Sequence, residues 1–297
     1  MLELPIRNLI LEGPDCSGKT TLIRGIHNTS KYRWHIIDRS QISRYIFSNL
    51  YHRDIDLFDL HLELSNLNNV FVILLPNKEI IKNRFEVRGD DIHNIHSLME
   101  VYDVYEKNSL WLKRFPNVHL IEEENPDPQD IVQLLRDSEQ VVWEDISHKI
   151  DQFVDNTPTK EAYPFVFTVY DDGKFQQLDK EILNHSPEKK YYQNIFSSLV
   201  NKITNEMAGN NVYNRVENEF SRRFVYADSD CISFIQVANR DGVMDFHCVL
   251  RSSNIREILP YDLKFLYFLA HECYHLIGNN SRRVRFRFDL NSAHILD

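Results

Sequence analysis

Hydrophobic and polar positions in the first half of the chain alternate between short apolar runs and longer amphipathic stretches. The runs "NLILEG", "YRWHIIDRS", "NVFVILLP" and "NVHLIEEE" are typical of β-strands, and "NVFVILLP" is apolar enough to be buried on both faces. Helical patterns follow three of these runs, namely "GKTTLIRGI", "NKEIIKNRFEVRGDD" and "DPQDIVQLLRDSEQVVWEDI". This alternation predicts an α/β domain with a doubly wound parallel sheet over residues 1–140.

The pattern changes in the second half of the chain. Residues 141–160 are charged and lose the apolar period, which predicts a linker or a long exposed helix. Farther on, "CISFIQV" and "VMDFHCVL" alternate like strands around the turn "ANRDG", and "PYDLKFLYFLAHECYHLI" is apolar nearly all round, as a core helix is. We therefore expect a second domain, of the α+β class, over residues 161–297.

Composition narrows the class of protein further. A chain of 297 residues is longer than one hydrophobic core usually serves, which again favours two domains. With 34 basic and 44 acidic residues, its formal charge of -10 argues against direct DNA binding. We find neither a secretory leader pattern nor an apolar run of membrane-spanning length, and the four cysteines form no CxxC pair. These features predict a cytoplasmic protein with reduced thiols.

The first motif lies where the strand "NLILEG" meets a helical pattern. Gly13, Gly18, Lys19 and Thr20 complete the GxxxxGK[ST] phosphate loop. In such a loop the glycines let backbone N–H groups turn toward phosphate oxygens, and the following helix presents its N-terminus to the anion. Lys19 adds a positive charge, and Thr20 can bind Mg²⁺. A chance glycine-rich turn is the alternative, but the strand–loop–helix context favours a site for ATP and Mg²⁺.

Further charged residues are expected at the same edge of the sheet. Asp38 and Arg39 end a predicted strand, and the carboxyl ends of parallel strands share one edge. Arg84 and Arg88 are four residues apart and therefore share one face of a predicted helix. The alternatives are a helix N-cap for Asp38 and a solvated helix face for the two arginines.

On these residues the first half resembles thymidylate kinases and related deoxynucleotide kinases, over about residues 5–138. "LEGPDCSGKTT" is similar to their LEGxDxxGKTT opening, and the Arg-x3-Arg segment resembles their lid. The resemblance implies that Asp15 touches the sugar of an acceptor nucleoside monophosphate and that Arg39 binds its phosphate. The catalytic candidates of this half are Lys19, Asp38, Arg84 and Arg88. In thymidylate kinases the Asp-Arg pair comes much later, so this domain is abbreviated and the acceptor base stays open.

The second half carries several separate motifs at fixed spacing. "RSSN" at 251–254 and "PYDL" at 260–263 match the RSxDxxxxxPFNI signature of thymidylate synthases and the nucleotide hydroxymethylases that share their fold. Cys231 stands twenty residues before the signature arginine, where that family has its catalytic cysteine, and Gln236 follows five residues later. "SRRFV" resembles SRRxxV, whose arginines reach across a homodimer interface, and "SAHIL" resembles DAHIY. The substrate-binding residues that this resemblance implies are Arg222, Arg223, Gln236, Arg251, Ser252, Asn254 and His294.

The expected chemistry suits these residue types. A thiolate that adds to C6 of a pyrimidine makes C5 nucleophilic, so Cys231 needs a lowered pKa. Arg251, together with the arginines from a partner subunit, would lower that pKa, and the same guanidinium groups would bind the phosphate. The synthases carry Asn where this chain has Asp262, and an ionised carboxylate only accepts hydrogen bonds, which suits the amine of cytosine. The resemblance implies hydroxymethylation of dCMP with methylenetetrahydrofolate. The alternatives are a buried structural thiol and a helix cap.

Departures from the synthase pattern leave a second function open. The half is shorter than a full synthase, we find no ELxWF segment, and Asn254 replaces the usual Asp. The sequence also stops soon after His294, before the segment that closes over the folate in that family. The alternative is therefore a kinase whose degenerate synthase-like domain serves dimerisation or nucleotide sensing.

One further motif, HExxH, has the spelling of a zinc peptidase. His271, Glu272 and His275 place two imidazoles one helical turn apart, beside a carboxylate. A catalytic zinc also needs a third protein ligand, and the candidates that follow before the final residue are Asp289 and His294. We therefore expect no zinc site at His271 and His275.

Together these observations predict a two-domain cytoplasmic enzyme that binds nucleoside monophosphates. Its second domain would hydroxymethylate or methylate dCMP, or dUMP, and form a homodimer. Its first domain would phosphorylate the product with ATP and Mg²⁺. Consecutive steps of this kind are known, by analogy, from viruses that build modified DNA bases.

Overall fold

The computed structural model of the chain describes two compact units. The described residues are 2–54, 56–88, 94–157, 159–162, 164–175, 186, 188–208, 224–240, 242–277 and 283–295. Arg222 and Arg223 lie outside them. Ile6–Glu139 forms one unit, which we call the phosphate-loop unit. Met1–Pro5 and Gln140–Asp297 together form the other, which we call the composite unit.

Strands and helices run through both units. The strands are β1 (Leu2–Glu3), β2 (Asn8–Glu12), β3 (His35–Asp38), β4 (Asn69–Leu74), β5 (Val118–Ile121), β6 (Gln140–Val141), β7 (Glu161–Ala162), β8 (Phe165–Asp171), β9 (Phe224–Ala227), β10 (Ile232–Arg240), β11 (Val243–Leu250), β12 (Ser253–Asn254), β13 (Arg283–Leu290) and β14 (Ala293–His294). The helices are α1 (Lys19–Ser30), α2 (Gln41–Leu50), α3 (Leu57–Ser65), α4 (Lys78–Arg88), α5 (Ile95–Leu112), α6 (Pro128–Glu139), α7 (Trp143–Asp155), α8 (Lys189–Ala208) and α9 (Leu259–Ile277).

A parallel sheet with the strand order β3-β2-β4-β5 forms the centre of the phosphate-loop unit. This confirms the predicted parallel sheet, and β4 is buried along its whole length, as its apolar sequence predicts. Leu9 and Leu11 of β2 share an apolar cluster with α1 and α6 on one face. Side chains alternate along a strand, so Glu12 faces the other side, where it contacts Ser43 of α2 and Tyr105 of α5. Helices therefore cover both faces of the sheet.

The helix predicted from "DPQDIVQLLRDSEQVVWEDI" is wrong in one respect, because the structure divides it. α6 ends at Glu139, and the next two residues form β6, which pairs antiparallel with β1. α7 then begins at Trp143 and buries an apolar face at helical spacing that the surrounding charges obscured in the sequence. That face consists of Trp143, Ile146, Ile150, Phe153 and Val154. Residues 141–160 thus contain a helix, one of the two structures that we expected, but one face of it is buried.

A mixed sheet forms the centre of the composite unit. Its order across the described strands is β6-β1-β8-β13-β11-β10-β9, in which only β11 and β13 are parallel neighbours. A second, small sheet has the order β12-β14-β7. The predicted hairpin of β10 and β11 is confirmed, but its strands continue until Arg240 pairs with Val243, so the connection is shorter than "ANRDG". Gly242 in this connection has a φ of 75°, which favours glycine.

The predicted core helix is α9, which is buried all round over residues 265–270, whereas Tyr261 in its first turn is exposed. Asn239, on the buried face of β10, donates a hydrogen bond to the carbonyl of Ile277 at 3.1 Å, which places the end of α9 on that face. Within the described ranges, no helix combines the length and the apolar character that crossing a bilayer requires.

Candidate functional site

The phosphate loop connects β2 to α1. Gly13, Cys16 and Gly18 have φ values of 135°, 62° and 103°, so the backbone turns sharply. A Cβ atom at Gly13 would lie 2.3 Å from the carbonyl oxygen of Leu74, which excludes any side chain there. Gly18 precedes α1, and among the described residues no side chain caps this helix. The amides of its first turn therefore remain available to an anion.

Lys19 lies against the loop that precedes it. Its Nζ atom donates hydrogen bonds to the carbonyls of Gly13 at 2.7 Å and Pro14 at 2.8 Å, and the residue is 7% exposed. Burial lowers the pKa of Lys19, and the positive charge of Arg39 lowers it further. A partly desolvated ammonium group interacts strongly with a negative ligand, because little water screens it.

A cavity of about 920 Å³ adjoins the loop and lies within the phosphate-loop unit. It is lined by most of the candidate site residues that we predicted from the sequence of residues 1–140. These are Asp15, Gly18, Lys19, Thr20, Asp38, Arg39, Arg84 and Arg88. Gly13 belongs to the loop but is not among the residues that line the cavity. Four cationic side chains in one cavity suit a polyanionic ligand, and the apolar side chains of Ile80 and Val87 complete part of the wall.

Arg39 and Asp15, the two residues expected on the acceptor side, form an ion pair. The backbone N–H of Arg39 donates to the carbonyl of Leu11 at 2.9 Å, and the residue has a φ of 71°. Its guanidinium group lies 5.8 Å from the ring centre of Phe47. Asp38 lines the cavity with an exposed side chain.

Arg84 joins three segments of the cavity wall. From α4 it donates to the carbonyls of Cys16 and Ser17 at 3.2 and 3.1 Å. It also donates to the carbonyl of Glu124 at 2.7 Å and to Oδ1 of Asn125 at 3.1 Å, both after β5. Arg84 therefore does not belong to a merely solvated helix face. Arg88 lines the same cavity and is exposed.

Sequence reasoning missed Glu12, the last residue of β2. It is fully buried, and its carboxylate accepts hydrogen bonds from Ser40, Ser43 and Tyr105. The available signal was an acidic residue inside the apolar strand "NLILEG", directly before the loop.

In the composite unit, Cys231 and Arg251 lie where β10 begins and β11 has ended. The backbone N–H of Arg251 donates to the carbonyl of Cys231 at 2.7 Å. Burial raises the pKa of the Cys231 thiol, and the negative charge of Asp262 raises it further, against the opposing effect of Arg251. Arg251 thus acts in the expected direction, but among the described residues the net effect is a raised pKa, opposite to the lowered pKa that we expected.

Asp262 lies in the first turn of α9 and is 1% exposed. Its two oxygens accept hydrogen bonds from the hydroxyls of Tyr192 at 2.7 Å and Ser253 at 3.2 Å. Burial raises the pKa of Asp262 to about 7, although both hydrogen bonds oppose the increase. The carboxyl group thus joins α8, α9 and β12. The role of Ser253, rather than the neighbouring Ser252, was not foreseen.

Asn254 and His294 are register partners in the small sheet, on β12 and β14. Nδ2 of Asn254 donates to Glu257 at 3.1 Å, while Oδ1 is buried without a hydrogen-bond partner in the described part of the chain. Gln236 is on the face of β10 opposite the buried side chains, and its register partner there is His247.

The HExxH residues lie near the end of α9. The Nε2 atoms of His271 and His275 are 2.9 Å apart, and Nδ1 of His271 is 3.0 Å from Glu272. The described residues contain no group of three or more His, Cys, Asp or Glu side chains that could hold a metal ion. Asp289, one possible third ligand, pairs instead with His247 at 2.8 Å.

Comparison with known proteins leaves the family open. No protein-family model matches the chain, and no curated protein matches it. Among solved structures it is similar to thermostable thymidylate synthase A from Bacillus subtilis, at 16% identity and a TM-score of 0.23. The match covers 28% of this chain and 33% of that synthase, so the chain spans about a third of the synthase. Similarity at this level does not establish the fold or the activity of the composite unit.

Proposed function

We propose that the phosphate-loop unit transfers a phosphoryl group from ATP to a nucleoside monophosphate. One observation carries the proposal: the cavity beside the loop collects Lys19, Arg39 and Arg84 next to the uncapped N-terminus of α1. Backbone amides, a lysine and arginines around one cavity are the groups that phosphoryl transfer requires, because its catalysis rests on positioning and on offsetting negative charge.

The residues of the loop fit a triphosphate with Mg²⁺. The close approach of Leu74 to Gly13 leaves no room for a side chain, so glycine allows the loop to turn tightly at the end of β2. Lys19 and the first-turn amides of α1 would hold the phosphates, and the exposed hydroxyl of Thr20 would bind Mg²⁺. ATP supplies the phosphoryl group that is transferred.

The remaining cations have separate roles in this proposal. Arg84 and Arg88 would offset charge on the transferring group, since both line the cavity from α4. Arg39 would bind the acceptor phosphate while Asp15, its partner in the ion pair, accepts a hydrogen bond from the acceptor sugar. The base of the acceptor stays open, and a pyrimidine is favoured by the resemblance of the loop alone.

A screen of nucleoside monophosphates for ADP production tests this function. The panel contains dCMP, 5-hydroxymethyl-dCMP, dUMP, dTMP and dGMP, each with ATP and Mg²⁺. We expect ADP formation that depends on a pyrimidine acceptor and disappears in Lys19→Ala. Arg24→Ala, an exposed position on α1 outside the cavity, is the matched control and should keep full activity. Equal ADP formation with and without acceptors would contradict the proposal.

For the composite unit we infer a pyrimidine nucleotide site that transfers a one-carbon unit. The supporting observation is that Cys231 and Arg251 lie side by side, joined by a backbone hydrogen bond. A thiol and a guanidinium group on backbone-paired residues suit a pyrimidine monophosphate, with the thiolate adding at C6 and the guanidinium group binding the phosphate. Methylenetetrahydrofolate would supply the one-carbon unit. The homodimer, and its use of Arg222 and Arg223, stay predictions.

Release of tritium from [5-³H]dCMP and [5-³H]dUMP tests this second function. Exchange at C5 requires a nucleophile at C6, so we expect release from the wild-type protein and none from Cys231→Ser. Cys248→Ser, on the next strand, is the control for loss of a thiol elsewhere. Nucleotide binding without any release would favour the alternative, a domain that senses nucleotide or mediates dimerisation.

A further inference from the structure

The Glu12 carboxylate is buried directly behind the phosphate loop. Oε1 accepts hydrogen bonds from the N–H and the hydroxyl of Ser40 at 2.6 and 2.8 Å. Oε2 accepts from the hydroxyls of Ser43 at 2.5 Å and Tyr105 at 3.1 Å. Burial of a carboxylate is unfavourable unless hydrogen bonds replace its water. Because Glu12 has no exposed surface, it does not itself contact a ligand in the cavity.

The hydrogen bonds of Glu12 hold the turn that carries Arg39. The N–H of Arg39 is bonded to Leu11, and the N–H of the next residue, Ser40, is bonded to Glu12. Two successive amides after β3 are therefore fixed to two successive residues of β2. The φ of 71° at Arg39 is unfavourable for a residue with a side chain, so it persists only where its surroundings impose it.

The same carboxylate also stabilises the start of α2. Ser40 is the N-cap of this helix, and its hydroxyl accepts from the N–H of Ile42 at 3.3 Å. A negative charge at a helix N-terminus is favourable. On the far side, burial and the negative charge of Glu12 raise the pKa of Tyr105 well above its ordinary value, so its hydroxyl keeps the proton that it donates.

We infer that Glu12 is a positioning residue for the acceptor phosphate. It fixes the Arg39 turn so that the guanidinium group stays paired with Asp15 in the cavity wall. Glu12 thus acts through Arg39 and sets the affinity for a phosphate monoester without touching it. This inference rests on the proposed phosphotransfer.

Glu12→Gln tests the inference with little change in volume. One carboxylate oxygen becomes an NH₂ group, which faces donors and cannot accept their hydrogen bonds. We expect KM for the best monophosphate of the panel to rise about tenfold or more, while KM for ATP stays within about twofold. A role confined to stability would change both constants together or neither.

Glu63→Gln is the matched control. Oε2 of Glu63 accepts from the N–H of Gln41 at 3.0 Å, at the same end of α2, so the substitution weakens the same helix terminus. Burial raises the pKa of Glu63, against hydrogen bonds from Gln41 and the side chain of Ser40, so this carboxylate interacts with the same N-cap residue but not with the N–H groups that hold Arg39 and Ser40. We expect KM for the acceptor to change by no more than about twofold in this variant. An equal rise in both variants would overturn the assignment to Glu12.

Hydrogen–deuterium exchange gives a readout that does not depend on activity. In Glu12→Gln, amides of residues 38–44 should exchange faster, while those of residues 13–20 keep their wild-type rates. Faster exchange throughout the unit, or unchanged exchange at 38–44, would overturn the inference. If the wild-type protein phosphorylates no monophosphate, the proposed function fails, and this exchange pattern still decides whether Glu12 holds the turn.

Discussion

The two candidate sites differ in the charges that surround their reactive groups. At the phosphate loop, Lys19, Arg39, Arg84 and Arg88 face one cavity in a single chain. At Cys231, the pKa of the thiol is raised by burial and then by Asp262, with smaller contributions from Glu188 and Asp230, against Arg251 alone. The first site already suits an anion. At the second, among the described residues, Arg251 alone opposes the negative charges.

The largest expected effect separates the two sites by activity. Lys19→Ala should reduce kcat/KM for phosphotransfer at least about a thousandfold, because the ammonium offsets phosphate charge in a desolvated cavity. Release of tritium from [5-³H]dCMP by the same variant should stay within about twofold of wild type. Parallel loss of both activities would mean that the sites are not independent, and Cys231→Ser gives the reciprocal measurement.

A large effect on stability is expected at Asp262 as the pH changes. Because its pKa is raised from 3.8 to about 7 in the folded state, folding favours the protonated form. Its contribution to stability is therefore full below about pH 4 and is lost progressively up to about pH 7, a change of up to about 4 kcal/mol. In Asp262→Asn, the free energy of unfolding from urea titrations should lose this dependence.

Asp245 provides a control with the opposite sign. Burial alone would raise its pKa, but hydrogen bonds from Arg285 and Arg287 outweigh burial and lower it. Its contribution to stability is therefore present above its ordinary pKa and lost as the pH falls through the lowered value. Asp245→Asn should lose stability mainly at neutral pH. Identical pH profiles for the two variants would contradict both assignments.

A smaller effect tests how closely the backbone approaches at the loop. Gly13→Ala should destabilise the protein by about 2–3 kcal/mol, because the new Cβ meets the carbonyl of Leu74. Gly242→Ala in the composite unit shares a positive φ but meets nothing within 4 Å, so it should lose only about 1 kcal/mol. The urea midpoints of the two variants check this order, and equal midpoints would contradict it.

The smallest expected effect concerns the reactivity of Cys231. Since burial and Asp262 raise its pKa, iodoacetamide should alkylate this thiol more slowly at neutral pH than it alkylates free cysteine. In Asp262→Asn the rate should rise about twofold to threefold, because one negative charge is removed. Mass spectrometry of the peptide that contains Cys231 gives the rate. Rapid alkylation of the wild-type protein would show that other cations lower the pKa of Cys231. The two sites would then resemble each other in the positive charge around their reactive groups.

The phosphate-loop site was largely predictable, because its parts are local. A strand, a loop with glycines at fixed spacing and a helix form one continuous segment, so Gly18, Lys19 and Thr20 line the cavity as expected. Arg39 was predictable because parallel strands end at a common edge, and Arg84 because its spacing from Arg88 places both on one face of a helix. Glu12 was not, since its donors Ser40 and Tyr105 lie 28 and 93 residues away.

Long-range contacts also explain what was missed in the composite unit. β6 forms because Gln140 and Val141 pair with Glu3 and Leu2, and no local pattern near residue 140 indicates that partner. The environment of Asp262 depends on Tyr192, which is 70 residues away in the sequence and whose hydroxyl donates a hydrogen bond to one of the carboxylate oxygens. The sequence motif singled out Asp262, but it could not show that Tyr192 and Ser253 supply hydrogen bonds to its two oxygens.

The pairing of β1 with β6 has a practical consequence for dissecting this chain. The chain leaves the sheet of the composite unit after β1 and returns to it at β6, where Gln140 pairs with Glu3. In the sequence, the phosphate-loop unit is therefore an insertion between these two neighbouring strands. A fragment that begins at residue 140 would lack β1, the strand that lies between β6 and β8 in the sheet. Replacing residues 6–139 with a short glycine-rich connector would instead keep β1 paired with β6 and β8, and would give the composite unit alone.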